Sequence, residues 1–510
     1  MRALISVHDK TGLAEFAQGL EELGFEIVAS GGTSAFLDEH GVRVTRVEDV
    51  TNAPELLGGR VKTLHPRIHG GILARRDRAD DLEALDEQEI EPFDLVCVNF
   101  YPFSSIVARH GARMEDAVEV IDIGGPSMLR AAAKNFAHVA PVCDPGQYGR
   151  VLAELTEHGV LSHETRHALA ADAFAYSAVY EAAIARWFAE GEGLPKTLSL
   201  SFEKAQDLAY GENPHQQAAY YRELGARRPL LSHVEQLQGR SLSFNNLHDL
   251  SGALLLLREF TLPTCVIVKH ANACGVAVAA TIEEAYERAL AADPLSAFGM
   301  VSALNRPVST ELSTRISEQF VDVLIAPDYE DGALDAWKSK PAVRILADRE
   351  RRSFPVEELD FKRVPGGLLV QHRDWDVDER DTMTVVAGSL TEQQWGDLLF
   401  AWRVAKHIWS NAIVIAKDLQ TIGIGAGQQS RVDAVRLALE KAQKFDHDLA
   451  GSVLASDAFF PFADGPEQAL ARGVTAIIQP GGSKRDDEVV AALERAGAAM
   501  VFTGRRHFRH

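Results

Sequence analysis

Short apolar runs and amphipathic stretches alternate along the whole chain. Residues 4–7 read as a buried strand, 13–23 as an amphipathic helix and 25–29 as a second strand. The apolar run 94–99 predicts another strand, and 165–190 one long helix rich in Ala, Tyr and Phe. Gly191-Glu192-Gly193-Leu194-Pro195 breaks that helix and predicts a domain boundary. Beyond it, 247–260 and 281–292 predict helices, 265–268 and 320–327 predict strands, and 390–408 a further helix. Residues 412–416 and 421–424 predict an antiparallel hairpin around Lys417-Asp418. The stretch 328–382 is charged and poorly periodic, and reads as irregular connections. Strands alternating with helices predict an α/β fold with parallel topology at the N-terminal end.

Composition narrows the class. The chain has 510 residues, 46% hydrophobic and 25% charged, which is ordinary for globular domains, and its length predicts more than one of them. A net charge of −21 speaks against nonspecific nucleic-acid or anionic-membrane binding. Cys97, Cys143, Cys265 and Cys274 are widely spaced, so neither a disulfide framework nor a structural zinc site is expected. No apolar run of membrane-spanning length occurs, and the N-terminus turns polar too soon for a signal peptide. The default expectation is a soluble cytoplasmic protein.

Several stretches carry candidate chemistry. Ser30-Gly31-Gly32-Thr33 and Ile123-Gly124-Gly125 each follow an apolar run and open a helix, as anion cradles do, and as simple turns with caps also do. Arg60 to His69 holds two arginines, a lysine and two histidines in an acidic protein. Pro66 and the glycines after His69 predict loop geometry there, suited to an anion or to acid–base work. Lys269-His270 ends an apolar strand and is expected to open a loop of small residues. Such a pair offers a proton donor and an acceptor at a strand end, where α/β proteins collect ligands, although ordinary strand ends carry similar residues. Arg505, Arg506, Phe508, Arg509 and His510 form a basic aromatic tail, either frayed or suited to a flat heterocycle or phosphate. Gly423, Gly425 and Gly427 do not form a dinucleotide fingerprint, no P-loop occurs, and Cys274 lacks the partners of a zinc deaminase, so no metal is expected.

Together these stretches resemble one family: the bifunctional purine-biosynthesis protein that joins 5-aminoimidazole-4-carboxamide ribonucleotide (AICAR) formyltransferase to inosine monophosphate (IMP) cyclohydrolase. The resemblance rests on 5–12, 30–33, 60–66, 122–125, 210–215, 269–272, 410–414, 423–431 and the Arg-His-Phe-Arg-His end. It implies a methylglyoxal-synthase-like cyclohydrolase domain over 1–195. It implies a formyltransferase domain over 196–510, built from two zinc-free cytidine-deaminase-like subdomains, 196–385 and 386–510. It further implies 10-formyltetrahydrofolate as cosubstrate, AICAR, its formylated product FAICAR and IMP as ligands, and a homodimer with transferase sites at the interface. The narrower alternatives are a cyclohydrolase with a weakened transferase half and a non-catalytic purine-nucleotide-binding regulator.

The same resemblance assigns residues. For formyl transfer it implies His270 as base, Lys269 as donor or electrostatic partner, and Asn411 holding formyl or amide oxygens. Tyr210, His215, Phe298, Gly299, Arg431, Arg506, Phe508 and His510 would meet the nucleotide, and Asp322 the pterin. For cyclisation it implies Lys62, Tyr101 and Asp122 as catalytic. Ser6, Lys10, Ser30, Gly31, Gly32, Thr33, Arg60, Thr63, Gly124, Gly125 and Lys134 would bind substrate. Two positions depart from the family pattern: Ala209 stands where an arginine is usual, and Ala273 where a proline is. A lost phosphate contact worth about 1.5–3 kcal/mol would weaken nucleotide binding roughly tenfold or more. A lost proline would loosen the loop behind His270.

Overall fold

The computed structural model describes residues 1–53, 57–108, 113–191, 193–224, 231, 234–349 and 358–510. The chain divides into two compact units, 1–202 with 223–225, and 203–222 with 226–510. The predicted 328–382 connection falls partly outside the described residues, at 350–357.

The first unit is a parallel sheet of β1 (Arg2–Val7), β2 (Glu26–Ala29), β3 (Val44–Arg46), β4 (Leu95–Asn99) and β5 (Ala140–Val142), in the order β3-β2-β1-β4-β5. Both faces are covered, as parallel sheets require. Leu4, Val28, Val96 and Val98 point into one core with the helices Pro66–Leu73, Gly124–Lys134 and His163–Phe188. Ala3, Ile5 and Val7 point into the other, with the helix Leu13–Glu22. The strand order reverses between β1 and β4, so a crevice opens beyond their carboxyl ends. The anion-type turn at 30–33 and the Phe100-Tyr101 segment both lie at that crevice.

Residues 203–222 of the second unit hold all but the end residues of the hairpin strands β6 (Phe202–Leu208) and β7 (Ala218–Glu223). Its body is one twelve-stranded sheet made of two copies of the same six-stranded plan. The first copy runs β8 (Glu235–Gln238), β9 (Thr264–Lys269), β10 (Asn272–Val278), β11 (Met300–Leu304), β12 (Val321–Ala326) and β13 (Arg344–Ala347). A separate hairpin follows, β14 (Leu359–Val364) and β15 (Gly367–His372). The second copy runs β16 (Thr384–Ala387), β17 (Ile413–Lys417), β18 (Gln420–Gly425), β19 (Val453–Ser456), β20 (Ala476–Gln479) and β21 (Ala499–Phe502). In each copy an antiparallel hairpin leads to three strands parallel to one another, with an antiparallel edge strand outside. The copies join where β10 meets β18 antiparallel, helped by Thr421 Oγ1, which accepts from the Val276 N–H at 2.9 Å.

Alternation along the strands builds three cores. Val266 and Val268 share a core with Val414, Ala416 and the helices Phe244–Leu257 and Glu392–Ala405, so one face is continuous across both copies. Cys265 and Ile267 face a second core on the opposite side, and Ile413 and Ile415 a third. On that side the helices press directly on the sheet. A Cβ at Gly275 would lie 1.9 Å from the Ala289 carbonyl oxygen, and one at Gly423 2.2 Å from that of Ala438.

Three expectations are corrected. Lys269-His270 does not open a loop of small residues: His270 and Ala271 form a two-residue turn and the chain returns at once as β10. Ala273 therefore lies in a strand, buried opposite Val268, and there is no loop behind His270 for it to loosen. Charge in 328–382 concealed β13, an inner strand of the large sheet, and the β14–β15 hairpin.

Candidate active sites

In the first unit the crevice is organised by main-chain clamps. Asn99 Oδ1 accepts from the N–H groups of His8 (2.6 Å) and Asp9 (2.9 Å), fixing the loop that carries Lys10. Thr33 Oγ1 both accepts from the Val7 N–H and donates to the Val7 carbonyl, each at 3.1 Å. The Thr33 hydroxyl is thus committed to β1, and it holds the 30–33 turn in place. Ser6 and Ser30 hydroxyls meet at 3.2 Å. Gly31 has φ +50°, and a Cβ there would lie 2.6 Å from Lys62 Nζ, so the ammonium approaches the turn only because Gly31 has no side chain.

The Arg60–His69 stretch is not the loop that Pro66 and its glycines predict. His65 accepts from the Arg67 N–H and caps the helix Pro66–Leu73, which contains both glycines. Thr63 packs against Gly124, where a Cβ would lie 2.5 Å from Thr63 Oγ1. Gly125 donates its N–H to Asp122 Oδ1 at 2.8 Å. Burial pushes the Asp122 carboxyl up, against the opposing pull of the Gly125 and Tyr101 main-chain hydrogen bonds. Lys62, Thr63, Asp122, Gly124 and Gly125 are thereby gathered. Tyr101 stands half exposed with its ring edge toward His8, 5.5 Å between centroids. Lys134 and Asp122 line a cleft of about 610 Å³ with His69, Arg130 and Glu181. Arg60 is paired with Glu119 at 2.8 Å in an exposed position.

The second unit places Lys269 and His270 on a rigid turn. His270 and Ala271 have φ of 57° and 59°. That left-handed pair makes a tight hairpin, which costs a non-glycine residue roughly 1–2 kcal/mol each. Asp249, on the helix Phe244–Leu257, steadies it by accepting from the Ala271 N–H at 2.7 Å. His270 is exposed. Lys269 Nζ donates to the Gly299 carbonyl at 2.8 Å, and among the described residues no carboxylate pairs with it. Gly299 has φ +71°, and a Cβ there would lie 2.8 Å from that ammonium. Beside it Phe298 and Phe320 stack at 4.6 Å, both largely exposed.

The same helix gathers further residues. Its first turn accepts the 210–216 loop, through the Tyr210 carbonyl (3.4 Å from Phe244 N) and the Glu212 carbonyl (3.2 Å from Asn245 Nδ2). His215 is exposed on that loop and Ala209 is exposed just before it. Asp322 accepts from Asn246 and Arg344, each at 2.6 Å.

From the second copy come residues 409–411, 428–431 and the tail. Asn272 Oδ1 accepts from the Trp409 N–H at 3.0 Å, which ties this segment to the Lys269 hairpin. Asn411 was expected to hold a substrate oxygen. Instead its amide donates to the Gln428 and Gln429 carbonyls, and its oxygen accepts from Arg431 at 2.8 Å. Both its donor hydrogens are engaged. Arg431, expected at the nucleotide, is itself buried, bonded to Ser456 and paired with the fully buried Asp457. The tail is ordered, not frayed: the Arg509 carbonyl accepts from Ser410 N–H at 2.8 Å, and Arg506 lies 4.6 Å from the Phe508 ring centroid. His510 stands edge-on to the same ring at 5.4 Å. Asn99, Asp249 and Asn272 were given no role by sequence reasoning, because the side chain of each acts on a main-chain N–H of a distant segment.

The model of the "AICARFT/IMPCHase bienzyme" family matches residues 132–441, and that of the "MGS-like domain" residues 12–127. The chain belongs to the AICARFT/IMPCHase bienzyme family. The "Bifunctional purine biosynthesis protein PurH" of Persephonella marina is 48% identical over 514 residues, covering 100% of this chain and 99% of the relative. Its namesake from Magnetococcus marinus is 49% identical over 527 residues, with the same shares. A solved chain, "Crystal structure of ForH", is 41% identical and covers 37% of this chain and 98% of its own, with a TM-score of 0.33. For a bienzyme of this family, the structure brings together the Lys62–Asp122 group in one unit and the Lys269–His270 group in the other. Among the described residues no cluster of His, Cys, Asp and Glu could hold a metal, and no helix is long and apolar enough to cross a membrane.

Proposed function

We propose that the two reactions of this bienzyme are divided between its units, cyclisation at the Lys62–Asp122 crevice and formyl transfer around the Lys269–His270 turn. The chain catalyses the last two steps of IMP synthesis: formyl transfer from 10-formyltetrahydrofolate to the 5-amino group of AICAR, then dehydrative closure of FAICAR to IMP.

In formyl transfer the weakly nucleophilic amine attacks the formyl carbon. His270 takes the amine proton, and Lys269 stabilises the oxyanion and serves the departing folate nitrogen. The observation that carries this is the Lys269 ammonium, held at 2.8 Å by a carbonyl and unneutralised, beside an exposed imidazole on a rigid turn. Phe298 with Gly299, Tyr210, His215, Arg506, Phe508 and His510 form the nucleotide side, and Asp322 meets the pterin. Asn411 serves through Arg431, keeping its guanidinium and the 428–429 carbonyls in register. In cyclisation the carboxamide nitrogen adds to the formyl carbon and water leaves, which needs orientation and proton movement. Asp122, Lys62 and Tyr101 supply the proton transfers. Ser6, Lys10, Ser30, Gly31, Gly32, Gly124, Gly125 and Lys134 hold phosphate and ribose, with Thr33 and Thr63 bracing them.

The duplicated plan of the twelve-stranded sheet supports the reading of 196–385 and 386–510 as two cytidine-deaminase-like subdomains. A homodimer with transferase sites at its interface, working in the cytoplasm, completes the proposal. The test is a coupled assay of AICAR and 10-formyltetrahydrofolate on full-length variants. His270→Ala should abolish folate release and spare FAICAR closure, and Asp122→Asn should do the reverse. Loss of both activities in each variant would refute the division.

A further inference from the structure

His507 is buried at 2% exposure, and no catalytic role above uses it. Its Nδ1 lies 2.5 Å from Asp374 Oδ2 and its Nε2 2.6 Å from Asp378 Oδ2. Carboxylates only accept, so a ring that satisfies both must carry both protons. Other donors share the same acidic segment. Trp402 Nε1 donates to the same Asp378 oxygen at 2.6 Å, and its ring packs 5.2 Å from the imidazole. Arg505 pairs with Asp376 at 2.7 Å and approaches Asp378 at 3.9 Å. Lys406 donates to the Asp376 carbonyl at 2.8 Å. The Asp457 carbonyl accepts the His507 N–H at 3.1 Å, which connects the ring's own residue to the Arg431 pair.

What lies on either side of His507 is the tail's contribution to the transfer site. Arg506 precedes it and Phe508 follows. Arg509 then bonds to the His407 carbonyl at 2.6 Å, covers Trp409 at 5.6 Å, and accepts the Ser410 N–H. We propose that His507, gripped between Asp374 and Asp378, is a positioning residue for formyl transfer, fixing the tail so that Arg506, Phe508 and the 409–411 segment meet the nucleotide. This rests on the reading that the tail belongs to the transfer site.

The bifunctional chain supplies its own control, because FAICAR closure reports folding of the same polypeptide. In full-length His507→Gln the KM for AICAR should rise about tenfold, the loss expected for a charged hydrogen-bonded anchor, with kcat changed by less than about threefold. FAICAR closure should be unchanged. Asp374→Asn removes the charge of one arm, leaving an amide oxygen that still accepts, and should raise KM less. Burial opposes the charge on His507, but the two carboxylates raise its pKa to about 9. A raised pKa means the grip is complete below the ordinary value of 6.5 and is lost as pH rises through about 9. The wild-type KM should therefore climb across that range, and the His507→Gln profile should be flat. If His507→Gln does not fold, Asp374→Asn and the wild-type profile decide. Unchanged KM in the folded variants, or kcat lost at constant KM, would overturn the inference. Arg506→Ala separates the two levels: if it too leaves KM unchanged, the tail is not part of the site. If it raises KM while His507→Gln does not, only the role of His507 falls.

Discussion

The second unit contains its own control for the transfer site. The β9–β10 turn, Lys269-His270-Ala271-Asn272, has a counterpart in the β17–β18 turn, Lys417-Asp418-Leu419-Gln420. Both central pairs have positive φ. Both turns are steadied by an aspartate of the preceding helix: Asp249 bonds the Ala271 N–H, and Asp397 bonds those of Asp418 and Leu419. The surroundings differ. Lys417 is paired with Asp448 at 2.7 Å, and the Arg288 guanidinium covers the Asp418 carbonyl. Lys269 has a carbonyl instead of a carboxylate, and His270 faces solvent. One backbone device is tied off in one copy and left open in the other. On the proposed assignment the turn itself is scaffold, and reactivity would come from what is withheld around it.

The largest test of this contrast is His270→Ala beside Asp418→Ala. Loss of a general base should lower formyl-transfer kcat by about 10²–10⁴, while the second variant stays near wild type; equal losses would mean the turns matter only as structure. Next, Lys269→Met should lower transfer kcat by roughly 10²-fold or more, as loss of an oxyanion donor does, with Lys417→Met within about twofold of wild type. Gly299→Ala should follow. The new methyl group at φ +71° meets the Lys269 ammonium, so unfolding by urea should show a loss of about 1–2 kcal/mol together with reduced transfer. Asp249→Ala and Asp397→Ala both strip turn N–H groups of their partner, at about 1–3 kcal/mol per buried group, yet only the former should also raise the transfer KM. The smallest effect is in pH. Burial raises the Asp397 carboxyl above 3.8, against its two turn hydrogen bonds. Its folded form thus holds a proton longer than its unfolded form, and its contribution to stability falls as pH rises through that raised value. Urea midpoints measured upward from pH 3.8 should show this slope in wild type and lose it in Asp397→Asn.

Much of the fold was legible. Apolar runs marked β1, β4, β9 and both strands of the second hairpin, because buried strands must be apolar throughout. β13 escaped because only Arg344–Ala347 forms it, within a charged stretch. The resemblance named candidate residues for both reactions together with their duties, but not the partners the fold gives them. Asn411 and Arg431 look like ligand-binding groups in the sequence, and only the fold shows Gln428, Gln429 and Asp457 already bonded to them. The duplication also left a readable trace. Asp249 precedes Lys269, and Asp397 precedes Lys417, by the same interval, but the residues between them share too little to draw attention.

Gly275 and Gly423 extend that trace. Each stands the same distance beyond its lysine, and each lies where a helix carbonyl would overlap any side chain. Substitution at either should be lost in a deep mutational screen selected for purine prototrophy, whereas the turn residues of the second copy should drift freely. A tolerance map of the gene would then show two matching notches and one unmatched peak of constraint, at Lys269-His270. From growth data alone, it would mark both the repeated plan and the copy that carries the proposed chemistry.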